Sequence, residues 1–347
     1  QPTPDNNRED KSHSNKMADT SKGDTATMNK IAIIGSGLVG KSWAMLFACS
    51  GYDVMLYDVI PDQLQCALVD IGAQLSALYK EGLQRSSLTL AEVKGHISTT
   101  TILEECVTGA IYIQECVPEN RDLKRSVWRQ IDDVITPDDV VFATSTSAIV
   151  PSLLSDHLKK RHRFMVAHPA NPPLLNPMVE LVPAPWTEPA AVDRARALME
   201  VIGQVPIVLH KEIDGFVQAR IQAAIIHVAW QLVSEDYVDV DSLETAMSEG
   251  LGGWYAFMGP FDVEHINSDG IEDGCKKYGA MVEQVQKTFP KPELMQGPAA
   301  EKLTRDLEQW TPSNRLADRC RWRDRRMSAL LQMKRKLDEE GKMEELK

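Results

Sequence analysis

The chain holds 347 residues, with a hydrophobic fraction of 43%, a charged fraction of 25% and a net charge of −12. That length allows two or three domains with a sizeable core, and the acidic balance excludes a general electrostatic affinity for nucleic acid or an anionic membrane surface. Six scattered cysteines without a C-x-x-C pair (Cys49, Cys66, Cys106, Cys116, Cys275, Cys320) fit reduced thiols in the cytosol better than a disulfide framework or a metal site.

Residues 1–28 are polar, have no core-forming apolar run and read as a disordered extension without the features of a secretory or transit segment. Ile31 to Ile34 is apolar and β-branched, the pattern of a buried parallel strand. An apolar helix follows over Leu38 to Cys49, capped by Gly51, and Asp53 to Tyr57 predicts a second strand. Helical spacing recurs from Pro61 to Lys80 and more loosely from Ser86 to His96. Further strands are expected at Ile97–Thr100, Ile111–Cys116, Val140–Thr144 and Phe164–Ala167, with helices between them and a turn at Pro137. Such alternation predicts an α/β fold, a doubly wound Rossmann-type sheet.

After that strand, His168-Pro169-Ala170-Asn171-Pro172-Pro173 reads as a rigid loop. Met178–Val182 reads as a strand centred on Glu180, Ala190–Ile202 as a helix and Val205–Leu209 as a last strand. From Phe216 the pattern is helical nearly to the end, with breaks at Gly250–Gly253, Gly259-Pro260 and Pro290–Pro298. Ile221 to Val233 is too short and too interrupted by Gln222, His227 and Gln231 to span a bilayer. The expected division is a sheet domain over 29–213, an all-helical substrate and dimerisation domain over 214–330, and a charged helical tail over 331–347. Arg315, Arg319, Arg321, Arg323, Arg325 and Arg326 alternate with acids and read as a packing or subunit-contact face, not a nucleic-acid patch.

Three features carry chemistry. Gly35, Gly37 and Gly40 stand at G-x-G-x-x-G spacing between the first strand and its helix, with Ser36, Leu38 and Val39 completing the turn. Glycines there permit a tight turn, close approach of a pyrophosphate and tight helix–strand packing, and the helix start receives the anion. Asp58, about 20 residues on, can accept hydrogen bonds from an adenosine ribose and would repel a 2′-phosphate, so the cofactor is expected to be NAD. Second, His168 and Glu180 can meet through a hairpin-like return, the carboxylate favouring the imidazolium of a general base. The same spacing also fits a loop histidine and a strand glutamate satisfied separately. Third, Thr144-Ser145-Thr146-Ser147 follows a strand that should end on the cofactor side; a helix N-cap before Pro151 is the other reading.

These residues sit in stretches that resemble the 3-hydroxyacyl-CoA dehydrogenase family and, within it, the lambda-crystallin (L-gulonate 3-dehydrogenase) branch. The matching stretches are GSGLVGKSWAMLFA (35–48), IQECVPEN (113–120), ATSTSA (143–148), AHPANPP (167–173), VELVP (179–183), GFV (215–217) and MSEGLGGWYAFMGP (247–260). They extend over Met28 to Arg326. The resemblance implies that His168 is the catalytic base, Glu180 its acidic partner and Ser147 a serine that hydrogen-bonds substrate. It also implies that Glu119 and Lys124, otherwise an exposed charged pair at a helix start, line the nicotinamide-ribose side. Asn171 is a further candidate for substrate contact, and a homodimer is expected.

Two positions depart from the pattern. Ala219 stands where the family has an Asn that helps hold the substrate oxygen, and loss of such a donor typically lowers turnover about a hundred- to a thousandfold. Gln218 points about 100° away on a helix, so Gln222, one turn on, is the candidate for reach. Trp254 stands where the branch has an Arg suited to a sugar-acid carboxylate; taken alone it reads as a core aromatic. The expected activity is NAD-dependent oxidation of the 3-hydroxyl of a small hydroxy acid, resembling L-gulonate 3-dehydrogenase and weakened by these two losses. A 3-hydroxyacyl-CoA substrate and a weakly active, crystallin-like NAD-binding protein are the alternatives.

Overall fold

The structure, a computed structural model, describes residues 29–135 and 139–345, with side chains to residue 341. The expected extension at 1–28 and the Pro137 turn lie outside the described residues. Apolar runs form the strands, and buried parallel strands need apolar residues on both faces. They are β1 (Lys30–Ile34), β2 (Asp53–Tyr57), β3 (Ile97–Thr100), β4 (Ala110–Glu115), β5 (Val141–Thr144), β6 (Phe164–Pro169), β7 (Met178–Pro183) and β8 (Val205–Val208). Their order is β3-β2-β1-β4-β5-β6-β7-β8, so the order reverses between β1 and β4, where the glycine turn emerges.

The helices between them are α1 (Leu38–Cys49), α2 (Pro61–Lys80), α3 (Leu90–Gly95), α4 (Leu103–Val107), α5 (Arg121–Val134), α6 (Pro151–Ser155) and α7 (Pro189–Val201). One core joins α1, α2 and α7 to one face of the sheet, through residues such as Trp43, Leu64 and Ala195. A second core joins α4, α5 and α6 to the other face around Trp128, whose ring meets Phe164 edge-on at 4.9 Å. The loosely helical stretch at 86–96 shortens to α3, because Thr89 and Glu92 close a capping box that fixes its start.

The sheet is mixed, as the hairpin-like return from His168 to Glu180 requires, since β7 runs antiparallel to β6 and β8 follows β7 in parallel. One expectation changes here. His168 lies inside β6 and not in a loop, because β7 continues the ladder to Pro169. β5 pairs only as far as Val166. Ala167 to Pro169 therefore run beyond β5 and are held from one side.

The helical region comprises α8 (Gln218–Ser234), α9 (Val240–Thr245), α10 (Gly252–Tyr255), α11 (Pro260–Ile266), α12 (Ile271–Gln286), α13 (Pro298–Trp310) and α14 (Leu316–Glu345). The expected break at Gly250–Gly253 does not occur. A π-helical turn at Ala246–Leu251 runs directly into α10, and Gly252 permits it, since a Cβ there would lie 2.8 Å from Met247 O. No break separates 330 from 331, because α14 is continuous. The arginines of its first half and of the turn before it pair with acids or stack on an aromatic: Arg315, just before α14, reaches Asp318 at 3.0 Å, Arg325 reaches Glu81 at 3.3 Å, and Arg319 and Arg326 lie over the Trp322 ring.

Candidate active site

The glycine turn shows why each glycine is needed. Gly35 has φ +101°, and a Cβ there would lie 2.9 Å from Cys116 O. A Cβ on Gly40 would lie 1.9 Å from Gly35 O. Gly37 differs, because a Cβ there would meet nothing within 4 Å. The space is a cradle left open above the start of α1. Gly37 caps that helix without a side-chain bond, and its first turn holds no acidic residue. The leading N–H groups of a 12-residue helix are thus offered to an anion. Beside them, Asp58 Oδ2 accepts from Ser36 N at 3.0 Å and Ser36 Oγ at 2.7 Å, which fixes the carboxylate at the edge of the turn. Turn, open helix start and fixed carboxylate fit a dinucleotide.

His168 and Glu180 are direct cross-strand partners on β6 and β7, so their side chains meet on one face. Nδ1 of His168 lies 2.7 Å from Glu180 Oε2. Glu180 is fully buried, and its other oxygen accepts the N–H of Val217 at 2.7 Å and of Gln218 at 3.0 Å. Burial raises the Glu180 carboxyl pKa, but the bonds from His168, Gln218 and Val217 outweigh it and hold the group below its ordinary value. The carboxylate therefore stays ionised and accepts a hydrogen bond from Nδ1–H, which leaves Nε2 as the basic nitrogen. Phe216, fully buried at φ +49°, places its ring 5.8 Å from the imidazole.

A second polar cluster shapes the loop after β5. Lys124 is only 1% exposed, and its ammonium reaches Glu115 Oε1 at 2.9 Å, Val117 O at 3.0 Å and Glu119 Oε2 at 3.5 Å. With two hydrogen bonds and an ion pair inside the fold, this lysine is a buried strut and not part of an exposed pair. Glu115 Oε2 also accepts from Thr144 Oγ1 at 2.6 Å. Glu119 Oε1 accepts from the hydroxyl of Thr146 and from Ser147 N at 3.1 Å, which holds the exposed Ser147 at the loop tip. Sequence reasoning gave no role to Gln114 and Glu115, and named Ser145 only as one of four hydroxyls in its turn. Ser145 Oγ accepts from Gln114 Nε2 at 2.7 Å and Trp43 Nε1 at 3.1 Å. The available signal was two polar residues, Gln114 and Glu115, closing an apolar strand. Cys116, nearby, is pushed up to about 12 by burial, so it stays a thiol.

The remaining candidates make no printed contact with the His168–Glu180 pair, although Ala219 directly follows Gln218, which does. Ala219 is half-buried beside Gly215, Asn171 is exposed next to Pro172, and Gln222 is exposed on α8. Trp254 is 48% exposed, which overturns its reading as a core aromatic. Among the described residues no cluster of His, Cys, Asp and Glu could hold a metal ion, and no helix is long and apolar enough to cross a membrane.

Known proteins share this chain's sequence and fold. The family model described as the NAD binding domain of 3-hydroxyacyl-CoA dehydrogenase matches residues 30–213, and the one described as its C-terminal domain matches 215–306. The chain is 44% identical to lambda-crystallin of Oryctolagus cuniculus over 309 residues, 88% of this chain and 97% of the relative. It is 34% identical to L-carnitine dehydrogenase of Streptomyces griseus over 233 residues, 67% of this chain and 68% of the relative. Among solved structures, an NAD+-dependent 5-formyl-3-hydroxy-2-methylpyridine 4-carboxylic acid 5-dehydrogenase superposes with a TM-score of 0.76 at 26% identity, covering 88% of this chain and 98% of the other. An open helix start, a fixed acid after the second strand and these matches lead to one conclusion: the chain belongs to the 3-hydroxyacyl-CoA dehydrogenase family of NAD-dependent oxidoreductases.

Proposed function

We propose that the chain oxidises the 3-hydroxyl of a small hydroxy acid, with L-gulonate giving 3-dehydro-L-gulonate as the best-supported pair. The observation that carries this reading is the contact of 2.7 Å between His168 Nδ1 and Glu180 Oε2, on strands that outrun β5. NAD+ bound over the glycine turn supplies the acceptor for a hydride. His168 Nε2 takes the proton of the substrate hydroxyl as the C–H hydrogen leaves with its electron pair, and the carbon–oxygen bond becomes a carbonyl. Glu180 stabilises the imidazolium so formed. Positioned general bases of this kind contribute about a hundred- to ten-thousandfold.

The other site residues take supporting parts. Gly35, Gly37 and Gly40 with Ser36, Leu38 and Val39 would hold the pyrophosphate, and Asp58 the adenosine ribose. Ser147, fixed by Glu119, would donate to the substrate oxygen. Lys124, paired with Glu119 at 3.5 Å, would steady it on the nicotinamide-ribose side, and the exposed Asn171 would contact substrate. The similarity to lambda-crystallin and to an enzyme acting on L-carnitine, itself a small 3-hydroxy acid, supports a small substrate over an acyl-CoA.

The helical region exposes large apolar side chains, including Phe261 at 79%, Ile221 at 55% and Phe257 at 54%. Faces of this kind mark protein interfaces, and they support a homodimer with 214–330 as its dimerisation and substrate unit. Six unpaired cysteines support a cytoplasmic setting.

Steady-state NADH production with L-gulonate, 3-hydroxybutyrate and 3-hydroxybutyryl-CoA tests the reading. Oxidation of L-gulonate with the highest kcat/KM of the three is expected. Preference for the acyl-CoA overturns the small-acid substrate, and NAD binding without turnover on any of them leaves the crystallin-like alternative standing.

A further inference from the structure

The end of β5 leaves a gap that one side chain fills. β5 pairs with β6 only as far as Val166, and the N–H of Thr146, next in line to bond β6, turns instead to Thr144 Oγ1 at 3.3 Å. Main-chain groups of alternating strand residues face opposite neighbours. Ala170 N–H faces β7, bonding Met178 O at 3.0 Å, so the carbonyl of Ala167, three residues back, faces the side that β5 has left. Gln114, fully buried on β4, reaches across to it. Its Nε2 donates to Ala167 O at 3.3 Å and to Ser145 Oγ at 2.7 Å, while its Oε1 accepts from the Tyr112 hydroxyl at 2.6 Å. A carbonyl can only accept, so Ala167 O fixes which end of the amide is the nitrogen. That carbonyl belongs to the peptide unit whose nitrogen is the main-chain nitrogen of His168. The imidazole is thus held twice, its ring by Glu180 from β7 and its peptide by Gln114 from the β5 side. Ser145 Oγ also accepts from Trp43 Nε1 at 3.1 Å, which ties the same amide to α1, the helix that opens at the glycine turn.

We propose that Gln114 is a positioning residue for His168, whose amide stands in for the missing end of β5 and sets the imidazole in a fixed place relative to the cofactor helix. The assignment rests on reading His168 and Glu180 as the reacting pair. Hydride departure and proton removal at one hydroxyl-bearing carbon need the base and the hydride acceptor placed together, and a displacement of about 1 Å costs on the order of a hundredfold. Without the Nε2 donor, the ladder holds Ala167 to Pro169 from β7 alone, and the overhang that carries the imidazole can shift. Gln114 acts through that peptide and not on substrate, since it is fully buried.

The test uses the full chain as wild type, Gln114→Leu, Tyr112→Phe and His168→Asn. Isotope labelling of the histidines reports the Nδ1–H of His168 by magnetic resonance, because a short bond to a carboxylate moves that proton far downfield. The peak missing from His168→Asn is the one to read. In Gln114→Leu it should move upfield or broaden. With L-gulonate and NAD+ the same variant should lose about ten- to a hundredfold in kcat, while both KM values and NADH affinity stay within about threefold. Tyr112→Phe takes a partner from the same amide but leaves the bond to Ala167 O, so it should lower the melting temperature without either change. Gln114→Met, of similar reach and with no donor, replaces the leucine variant if that one fails to fold. An unmoved resonance, an unchanged kcat or a loss confined to KM overturns the assignment. So does an equal kcat loss in Tyr112→Phe, which would follow stability and not position. If wild type leaves L-gulonate unoxidised, the substrate reading fails separately, and if His168→Asn keeps wild-type turnover, the reading of the reacting pair does. Gln114 is then judged by the resonance alone: displaced in Gln114→Leu it supports the role, and unmoved there or absent from wild type it overturns it.

Discussion

Glu180 holds His168 with one carboxylate oxygen, at 2.7 Å, and the first amides of α8 with the other. One buried group thus sets the tautomer of the imidazole and fastens the start of α8 to the strand pair that carries it. A chemical role and a structural role share a single charge.

Glu180→Gln should therefore lower kcat by about a hundred- to ten-thousandfold, with a smaller change in KM, since the neutral amide supports the imidazolium poorly. The same variant should alter acid stability. The folded-state pKa of Glu180 lies below its ordinary value of 4.5, so its stabilisation is complete above that value and is lost as pH falls through the depressed one. Urea midpoints measured from pH 7 down to pH 3 should converge for wild type and variant; parallel curves would remove Glu180 from the linkage.

The three glycines separate stability from cofactor binding. Gly40→Ala drives a methyl group against Gly35 O at 1.9 Å, and the chain should fail to fold or lose several kcal/mol, about 3 or more. Gly37→Ala meets no protein atom within 4 Å, so its melting temperature should stay within a few degrees while NADH affinity falls at least tenfold. Thermal unfolding beside NADH fluorescence titration distinguishes the two.

Asp58→Ala should weaken NADH binding about ten- to a hundredfold, the worth of hydrogen bonds to a charged acceptor. Binding of NADPH should weaken less or improve, because the repulsion toward a 2′-phosphate goes with the carboxylate. Parallel titrations with both nucleotides check this, and an unchanged ratio between them would move the ribose elsewhere.

Lys124→Met strands the Glu115 carboxylate, which is fully buried and keeps only Val117 N at 2.7 Å and Thr144 Oγ1 at 2.6 Å. Removing one partner of a buried ion pair costs about 3–5 kcal/mol. Adding Glu115→Leu should recover much of that loss, since two apolar side chains replace the pair. A double variant less stable than Lys124→Met would contradict the account. Equilibrium urea unfolding measures each step.

Much of this protein is legible in the sequence because it depends on local rules. Ile31–Ile34, Leu38–Cys49 and Pro61–Lys80 coincide closely with β1, α1 and α2, since apolar period and caps act within a few residues. The glycine spacing and Asp58 announce the cofactor for the same reason. Local rules fail where partners are remote. That His168 stands in a strand opposite Glu180 follows from β7 reversing direction and extending the ladder past β5. No period within Phe164–Pro169 encodes that. The burial of Lys124 arises from a carboxylate nine positions away on another element, which outweighs the charge that made it read as exposed. Gln218 is the sharpest case. Helical geometry turns it from Ala219, yet Phe216 at φ +49° starts the helix so that the Gln218 N–H meets Glu180. The sequence by itself determined which chemistry is present, through glycines, an acid and a histidine. Only the tertiary structure decided which groups meet, because strand pairing across distant segments sets contacts that no short stretch of chain contains.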